Sequence, residues 1–281
     1  MTIVNDEPGA PTPVPAPPVA SDAPAPAPTS PASVPAAIRC RGLSKAFGTA
    51  RNAVVALDRV DLDVRAGEFV CVVGASGCGK STLLNLVAGL DAPTRGQVDV
   101  VGRTALMFQD SALFPWLTVA DNVGLPLRLA GMPKGARQAR VEELLASVHL
   151  AGQGERRPHE LSGGMRQRVA LARALAQEAE ILLMDEPFGA LDAMTRDLLH
   201  DELERLWVER SLTILFVTHN VREASRLGDR IALLTSRPGR VAATFDVPFA
   251  RPRRIEAPEV SEMAGLVTAR LRQEVARHGP R

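Results

Sequence analysis

The run Gly74-Ala75-Ser76-Gly77-Cys78-Gly79-Lys80-Ser81 constrains this chain more than any other segment. It fits the pattern G-x-x-x-x-G-K-[ST] and lies where that pattern has physical meaning, after the apolar stretch Gly67 to Val73 and before a helical pattern over Lys80 to Gly89. Glycines let successive backbone N–H groups turn inward as an anion nest, and the following helix offers unpaired N–H groups and its positive dipole end to phosphate. Lys80 is then placed to reach the terminal phosphates of a nucleotide, and the Ser81 hydroxyl to ligate Mg²⁺. Gly74 to Ser81, together with Thr82, are therefore the candidate nucleotide-binding residues. The competing reading is a plain β-to-α turn with a surface lysine, which the strand-loop-helix context disfavours. Cys78 sits at a variable position of the pattern with neither a base nor a second cysteine close in sequence, which argues against a catalytic thiol.

A second apolar run, Ile181-Leu182-Leu183-Met184, ends on Asp185 and Glu186. Ligands bind at the carboxyl ends of strands in open α/β sheets. Asp185 suits Mg²⁺ through its water shell, and Glu186 suits the orientation and polarisation of a water attacking a γ-phosphate. Alone, the pair reads as well as a polar stop to a surface strand; beside the phosphate loop it reads as the second half of an ATPase.

The rest of the chain alternates in the way such a sheet requires. Extended patterns over Ile38 to Leu43, Val54 to Val64 and Glu68 to Val73 precede the loop, with another over Gln97 to Val101 and an apolar run Ala105 to Gln109 after it. Helical patterns then cover Val119 to Ala130, Lys134 to His149 and Gly164 to Ala176. Strand and helix alternation returns with Thr213 to Val217 and an amphipathic helix over Ala193 to Glu209. The order implies an α/β core interrupted by a mainly helical insertion at about residues 110–165. Past an extended stretch, Arg240 to Val247, and a Pro/Arg-rich turn, a last helix is predicted from Pro258, with Val260, Met263, Val267, Leu271 and Val275 as its packed stripe. Residues 1–37, dominated by Pro and Ala, are expected to be a disordered tail, so the folded domain is expected over 38–254 and the last helix within 255–281.

The octapeptide Leu161-Ser162-Gly163-Gly164-Met165-Arg166-Gln167-Arg168, just before the acidic strand, resembles the signature sequence of ATP-binding-cassette proteins. The resemblance implies a phosphate-loop NTPase fold of the cassette type, with an antiparallel β-subdomain and an inserted helical subdomain. It also implies an obligate pair of cassettes, in which Ser162, Gly163 and Gly164 of one chain grip the γ-phosphate of ATP held by the other. Met165 stands where the family usually has glutamine. By the same resemblance, Gln109 is the loop glutamine that touches metal and attacking water, His219 the switch histidine on the γ-phosphate, Asp192 part of the loop that crosses the dimer contact, and Phe47 an aromatic placed to stack on adenine. The catalytic set is then Glu186, His219, Gln109 and Lys80, and the metal set Ser81, Gln109 and Asp185. The stretches Gln109 to Val119, Pro187 to Asp192 and Ser236 to Arg240 are similar to the branch serving nitrate, sulfonate and taurine importers. Asn220, where that branch commonly has aspartate, and the short path from Val101 to Gln109 depart from it.

Charge names no partner: 33 basic residues against 32 acidic ones leave a formal net charge of +1, so nothing draws the chain to nucleic acid. Three cysteines without metal-ligand spacing fit a reducing compartment, and no apolar run is long enough to span a bilayer. The expectation is an ATPase subunit on the cytoplasmic face of a membrane, with ATP and Mg²⁺. Its implied partners are a transmembrane permease, a second copy of the cassette and, indirectly, a solute-binding protein. An exporter or lipoprotein-extracting cassette, and a soluble cassette acting on nucleic acid or ribosomes, are the alternatives; one phosphate loop, one signature and no sustained heptads weigh against the last.

Overall fold

The computed structural model describes residues 35–49, 52–189 and 191–277. Most of the Pro/Ala-rich segment expected to be disordered, residues 1–34, lies outside them. The first strand, β1 (Ala36–Phe47), starts two residues before the expected edge of the fold, because Ala36 already pairs with Arg65 and Ala37 is buried. With β2 (Val54–Arg65) and β4 (Arg95–Val100) it forms an antiparallel sheet in the order β2-β1-β4.

The second sheet carries the phosphate loop. Its order is β5-β6-β7-β3-β8-β9, from β3 (Phe69–Val73), β5 (Thr104–Met107), β6 (Ile181–Asp185), β7 (Thr213–Thr218), β8 (Arg230–Leu234) and β9 (Val241–Asp246). All pairings are parallel except β8 with β9. Continuous apolar runs such as Phe69-Val70-Cys71-Val72-Val73 suit this layer because a parallel sheet is covered on both faces. Alternation along the strands separates two cores. Phe69, Cys71, Met184, Ile214, Phe216 and Leu233 face a helical layer, whereas Val70, Val72, Leu183, Leu215 and Leu234 face α1 (Lys80–Val87) and the antiparallel sheet.

The helical layer comprises α2 (Val119–Leu129), α3 (Lys134–Ser147), α4 (Gly163–Leu175), α5 (Ala193–Arg210), α6 (Val221–Leu227) and α7 (Pro258–Arg277), with a short 3₁₀ turn at Pro158–Glu160. Caps mark its helix starts: Thr118, Ser162 and Asp192 each accept a hydrogen bond from the N–H three residues on. The path from Val101 to Gln109 is short because Gly102, at φ +112°, turns the chain from β4 straight into β5.

On α7 the predicted stripe is corrected at its end. Val260, Met263 and Val267 are buried and Leu271 half-buried, but Val275 is 46% exposed and Glu274 takes the inward place. Arg270 and Arg277 lie 2.9 and 3.0 Å from the Glu274 carboxylate, so an ion-paired carboxylate closes the stripe where the apolar core ends. Among the described residues no helix is long and apolar enough to cross a membrane.

Candidate active site

Four neighbouring strands end together. Met107 pairs with Met184, Asp185 with Val217, and Val73 with Thr218, so the residues just past β5, β6, β7 and β3 share one edge of the sheet. That edge receives Gln109, Glu186, His219 and the phosphate loop.

The loop turns on two left-handed glycines, Gly77 at φ +74° and Gly79 at φ +98°. At Gly79 even a methyl group is excluded, since a Cβ would stand 2.6 Å from Leu57 Cδ2 and 2.8 Å from the Ala56 carbonyl oxygen. A residue the sequence reading used only as a branch marker backs the same loop: a Cβ on Gly239 would lie 2.2 Å from the Cys78 carbonyl oxygen, and Gly239 N–H donates to Ala56 O at 2.9 Å. Its signal was the glycine in Ser236 to Arg240, whose close approach to a distant loop no local pattern reveals. Cys78 itself is buried, and burial raises its thiol pKa, the reverse of what a nucleophilic cysteine needs.

Lys80 is buried with its ammonium turned back into the loop, donating to Gly74 O at 3.0 Å and Ala75 O at 3.3 Å. Its Nζ lies 3.5 Å from Glu186 Oε1. The other oxygen, Glu186 Oε2, is 2.8 Å from His219 Nδ1. Glu186 holds this place at φ +43°, a left-handed conformation that costs a non-glycine residue about 1–2 kcal/mol. Its backbone is pinned on both sides, N–H to Val217 O at 2.9 Å and O from Gly189 N–H at 3.2 Å. Strain held by surrounding structure is typical of functional positions.

Beside it, the Asp185 carboxyl accepts a hydrogen bond from the Ser81 hydroxyl. Burial pushes its pKa up; the Ser81 hydrogen bond pulls it down, the Glu186 charge adds to the rise and Lys80 opposes it. No three His, Cys, Asp or Glu side chains gather as a metal cage among the described residues. One hydroxyl and one carboxylate at the mouth of an anion nest is instead a donor set suited to Mg²⁺, which keeps waters and takes its remaining ligands from phosphate. The residues present fit that ion.

The other expected residues have polar partners or neighbours of their own. Ser162, Gly163 and Gly164 open α4, with Ser162 Oγ accepting from Met165 N–H at 3.2 Å and Gly164 packed so closely on Thr195 that a Cβ would stand 2.5 Å from its Cγ2. Among the described residues, no hydrogen bond or ion pair joins them to Lys80, Asp185 or Glu186. Gln109 is exposed; its carbonyl accepts from Gln167 Nε2 at 3.0 Å, and Arg173 donates to Ser111 O and Ala112 O at 2.9 and 2.7 Å, tying this loop to α4. Phe47 is 46% exposed at the end of β1, with Lys45 Nζ 5.0 Å from its ring centre. Asn220 caps α6, accepting from the N–H groups of Arg222 and Glu223 at 3.1 and 3.4 Å, a task its amide oxygen performs as a carboxylate would.

A parallel sheet whose first strand feeds a glycine loop into a helix, and whose next strands deliver acidic and histidine side chains to the same edge, defines a phosphate-loop ATPase. Comparison with known proteins narrows the class. A family profile described as ABC transporter matches residues 57–189. An aliphatic sulfonates import ATP-binding protein of Mesorhizobium japonicum is 45% identical over 237 residues, covering 82% of this chain and 87% of its own. A taurine import ATP-binding protein of the same organism is 50% identical over 204 residues, covering 70% and 79%. Among solved structures, a dimeric, post-hydrolysis structure of the ATP-binding cassette MJ0796 bound to ADP and Pi superposes with a TM-score of 0.70 at 33% identity, covering 76% of this chain and 100% of that one. The chain belongs to the ATP-binding-cassette transporter family, as an ATP-hydrolysing subunit.

Proposed function

We propose that this protein drives the import of a small anion, such as nitrate, a sulfonate or taurine, through a separate permease against which it works as a pair of cassettes on the cytoplasmic face of the membrane. The observation that carries the hydrolytic part is the Glu186 carboxylate, held between Lys80 Nζ at 3.5 Å and His219 Nδ1 at 2.8 Å at the mouth of the phosphate loop. In this reading ATP binds with its phosphates over the N–H groups of residues 74–82 and its adenine against Phe47. Lys80 turns from the Gly74 and Ala75 carbonyls to the terminal phosphates. Glu186 orients the attacking water and takes its proton, and His219 steadies both the carboxylate and the γ-phosphate. Ser81, Asp185 and Gln109 would hold Mg²⁺, which when bound neutralises charge on the phosphate oxygens. Ser162, Gly163 and Gly164 of a second copy complete the site, which accounts for their forming no hydrogen bond with it within one chain, among the described residues. The domain limits belong to the same scheme: an ATPase domain expected over 38–254, its start moved to Ala36 by the first strand, with a helical subdomain at about 110–165, then a C-terminal helix within 255–281.

The sulfonate and taurine import relatives support the importer assignment over an exporter or a nucleic-acid machine. The test is to extract the complex in mild detergent, identify what stays bound, and assay its ATP hydrolysis. A multi-span permease, with hydrolysis stimulated by a solute-binding protein, is the expected result. Ribosomal or DNA-associated proteins in its place would overturn the transport function and leave the ATPase standing.

A further inference from the structure

Beneath the Glu186 and His219 pair lies a buried polar chain that the hydrolytic scheme does not use. His200, on α5, is fully buried. Its Nδ1 is 3.1 Å from Arg226 Nη1 and its Nε2 2.7 Å from Glu223 Oε1. Arginine has only donors, so Nδ1 accepts and the ring proton is on Nε2, donated to Glu223. The second Glu223 oxygen accepts a short hydrogen bond from the Thr218 hydroxyl, and Thr218 Oγ1 in turn accepts from Asn220 N–H at 3.0 Å. Thr218 and Asn220 flank His219, so the backbone on both sides of that histidine is tied to one buried carboxylate.

The same imidazole reaches the other partner of the pair. Its ring packs edge-on against Phe188 with ring centres 5.4 Å apart, and Phe188 lies two residues past Glu186. The turn is also fastened to α5 by Arg196, whose Nε donates to Phe188 O at 3.3 Å. His200 thus bears on the Glu186 turn through its ring edge and on the His219 turn through Glu223. Arg226 locks the imidazole from behind and is itself held by Asp197, Asp201 and the Arg253 carbonyl.

We infer that His200 is a positioning residue that sets the Glu186 to His219 contact, with Glu223 and Thr218 as its arm to the histidine. The inference rests on the reading of Glu186 and His219 as the hydrolytic pair. His200 is fully buried and reaches the pair only through Glu223 and Phe188, so its effect falls on the chemical step rather than on ATP binding. A buried, fully satisfied network of this kind favours one geometry, because any displaced member leaves a desolvated polar atom without a partner.

The experiment compares full-length wild type, His200→Leu, His200→Gln, Glu223→Gln and Glu186→Gln for steady-state ATP hydrolysis, equilibrium ATP binding and thermal midpoint. His200→Leu is expected to lower kcat on the order of 10²-fold, the loss a displacement of about 1 Å brings, while the ATP dissociation constant stays put. His200→Gln, whose amide N–H still reaches toward Glu223, recovers most of that loss. Should His200→Leu not fold, Glu223→Gln, equal in size but with an amide facing two donors, takes its place with the same expected split. An unchanged kcat, a parallel fall in kcat and ATP affinity, or a Gln variant no better than Leu would each overturn the inference. Wild-type hydrolysis by Glu186→Gln would instead defeat the reading of the site itself, whatever the His200 variants do.

Discussion

Replacing Glu186 with glutamine isolates one property of the site, the negative charge and proton affinity of a single oxygen. Gln has the same length and meets the same left-handed cost at φ +43°, so the fold should lose little. The hydrogen bond to His219, at 2.8 Å, changes from a carboxylate acceptor to an amide one. The charge attraction to Lys80 at 3.5 Å disappears; for unit charges at about 4 Å it amounts to about 4 kcal/mol at an effective dielectric of ~20, much of it offset by desolvation of both groups. Lys80 is thereby freer for phosphate, so ATP affinity should hold or tighten. The chemical step loses its proton acceptor, and general-base catalysis contributes roughly 10²–10⁴-fold, or about 3–5 kcal/mol of barrier. Phosphate release under steady-state and single-turnover conditions, equilibrium ATP binding, and light scattering with and without ATP measure all three consequences. The expected set is a kcat lower by roughly 10²–10⁴-fold, undiminished ATP binding, and a dimer that persists in ATP. Hydrolysis at the wild-type rate would refute the assignment of Glu186 as the base.

Two further perturbations read the loop and the carboxylate proposed to hold Mg²⁺. Asp185→Asn should raise the thermal midpoint without nucleotide while reducing Mg²⁺-dependent hydrolysis. Burial raises the Asp185 pKa above its ordinary value of 3.8, so its folded form binds more protons than its unfolded form just above that pH, and stability falls as pH rises through the window and stays reduced at neutral pH. A midpoint that drops in the variant at pH 7 contradicts this sign. Gly79→Ala should disrupt nucleotide binding and lower stability by about 1–3 kcal/mol, since its Cβ would stand 2.6 Å from Leu57 Cδ2 at φ +98°; a denaturant midpoint equal to wild type would show that the loop can move aside.

The parts legible in the sequence are those whose chemistry is local. The glycine loop, the strand ending in Asp185 and Glu186, and the helix predicted from Gly164 each depend on residues adjacent in sequence, and the structure forms the corresponding strand, turn or helix at each. Two elements go unread: α6 has 7 residues, too few to show a helical period, and β8, as short as β3 and β6 at 5 residues, has no neighbouring motif to mark it, so their place is decided by burial against β3 and α7. Val275 was misassigned because a 3-4 spacing cannot say where the core beneath a helix ends. Nothing local marks Glu186 as left-handed, Gly239 as the support of a loop at residues 74–82, or His200 as a buried joint in a helix otherwise read as amphipathic. Those are properties of segments far apart in sequence meeting at one sheet edge.

The central claim is that each ATP is hydrolysed between two copies of the chain, with residues 74–82, Asp185, Glu186 and His219 from one and Ser162, Gly163 and Gly164 from the other. Mixing two inactive variants, Lys80→Ala and Ser162→Arg, tests it most directly. In a mixed pair one site combines both defects, and the other combines the intact loop of the Ser162→Arg chain with the intact Ser162 of the Lys80→Ala chain. With random pairing, half of the dimers are mixed and one of their two sites is whole, so hydrolysis should return to roughly a quarter of wild type, as two-fold symmetry of the pair requires. A mixture as silent as its parents, under conditions where mixed dimers are shown to form, would contradict the account.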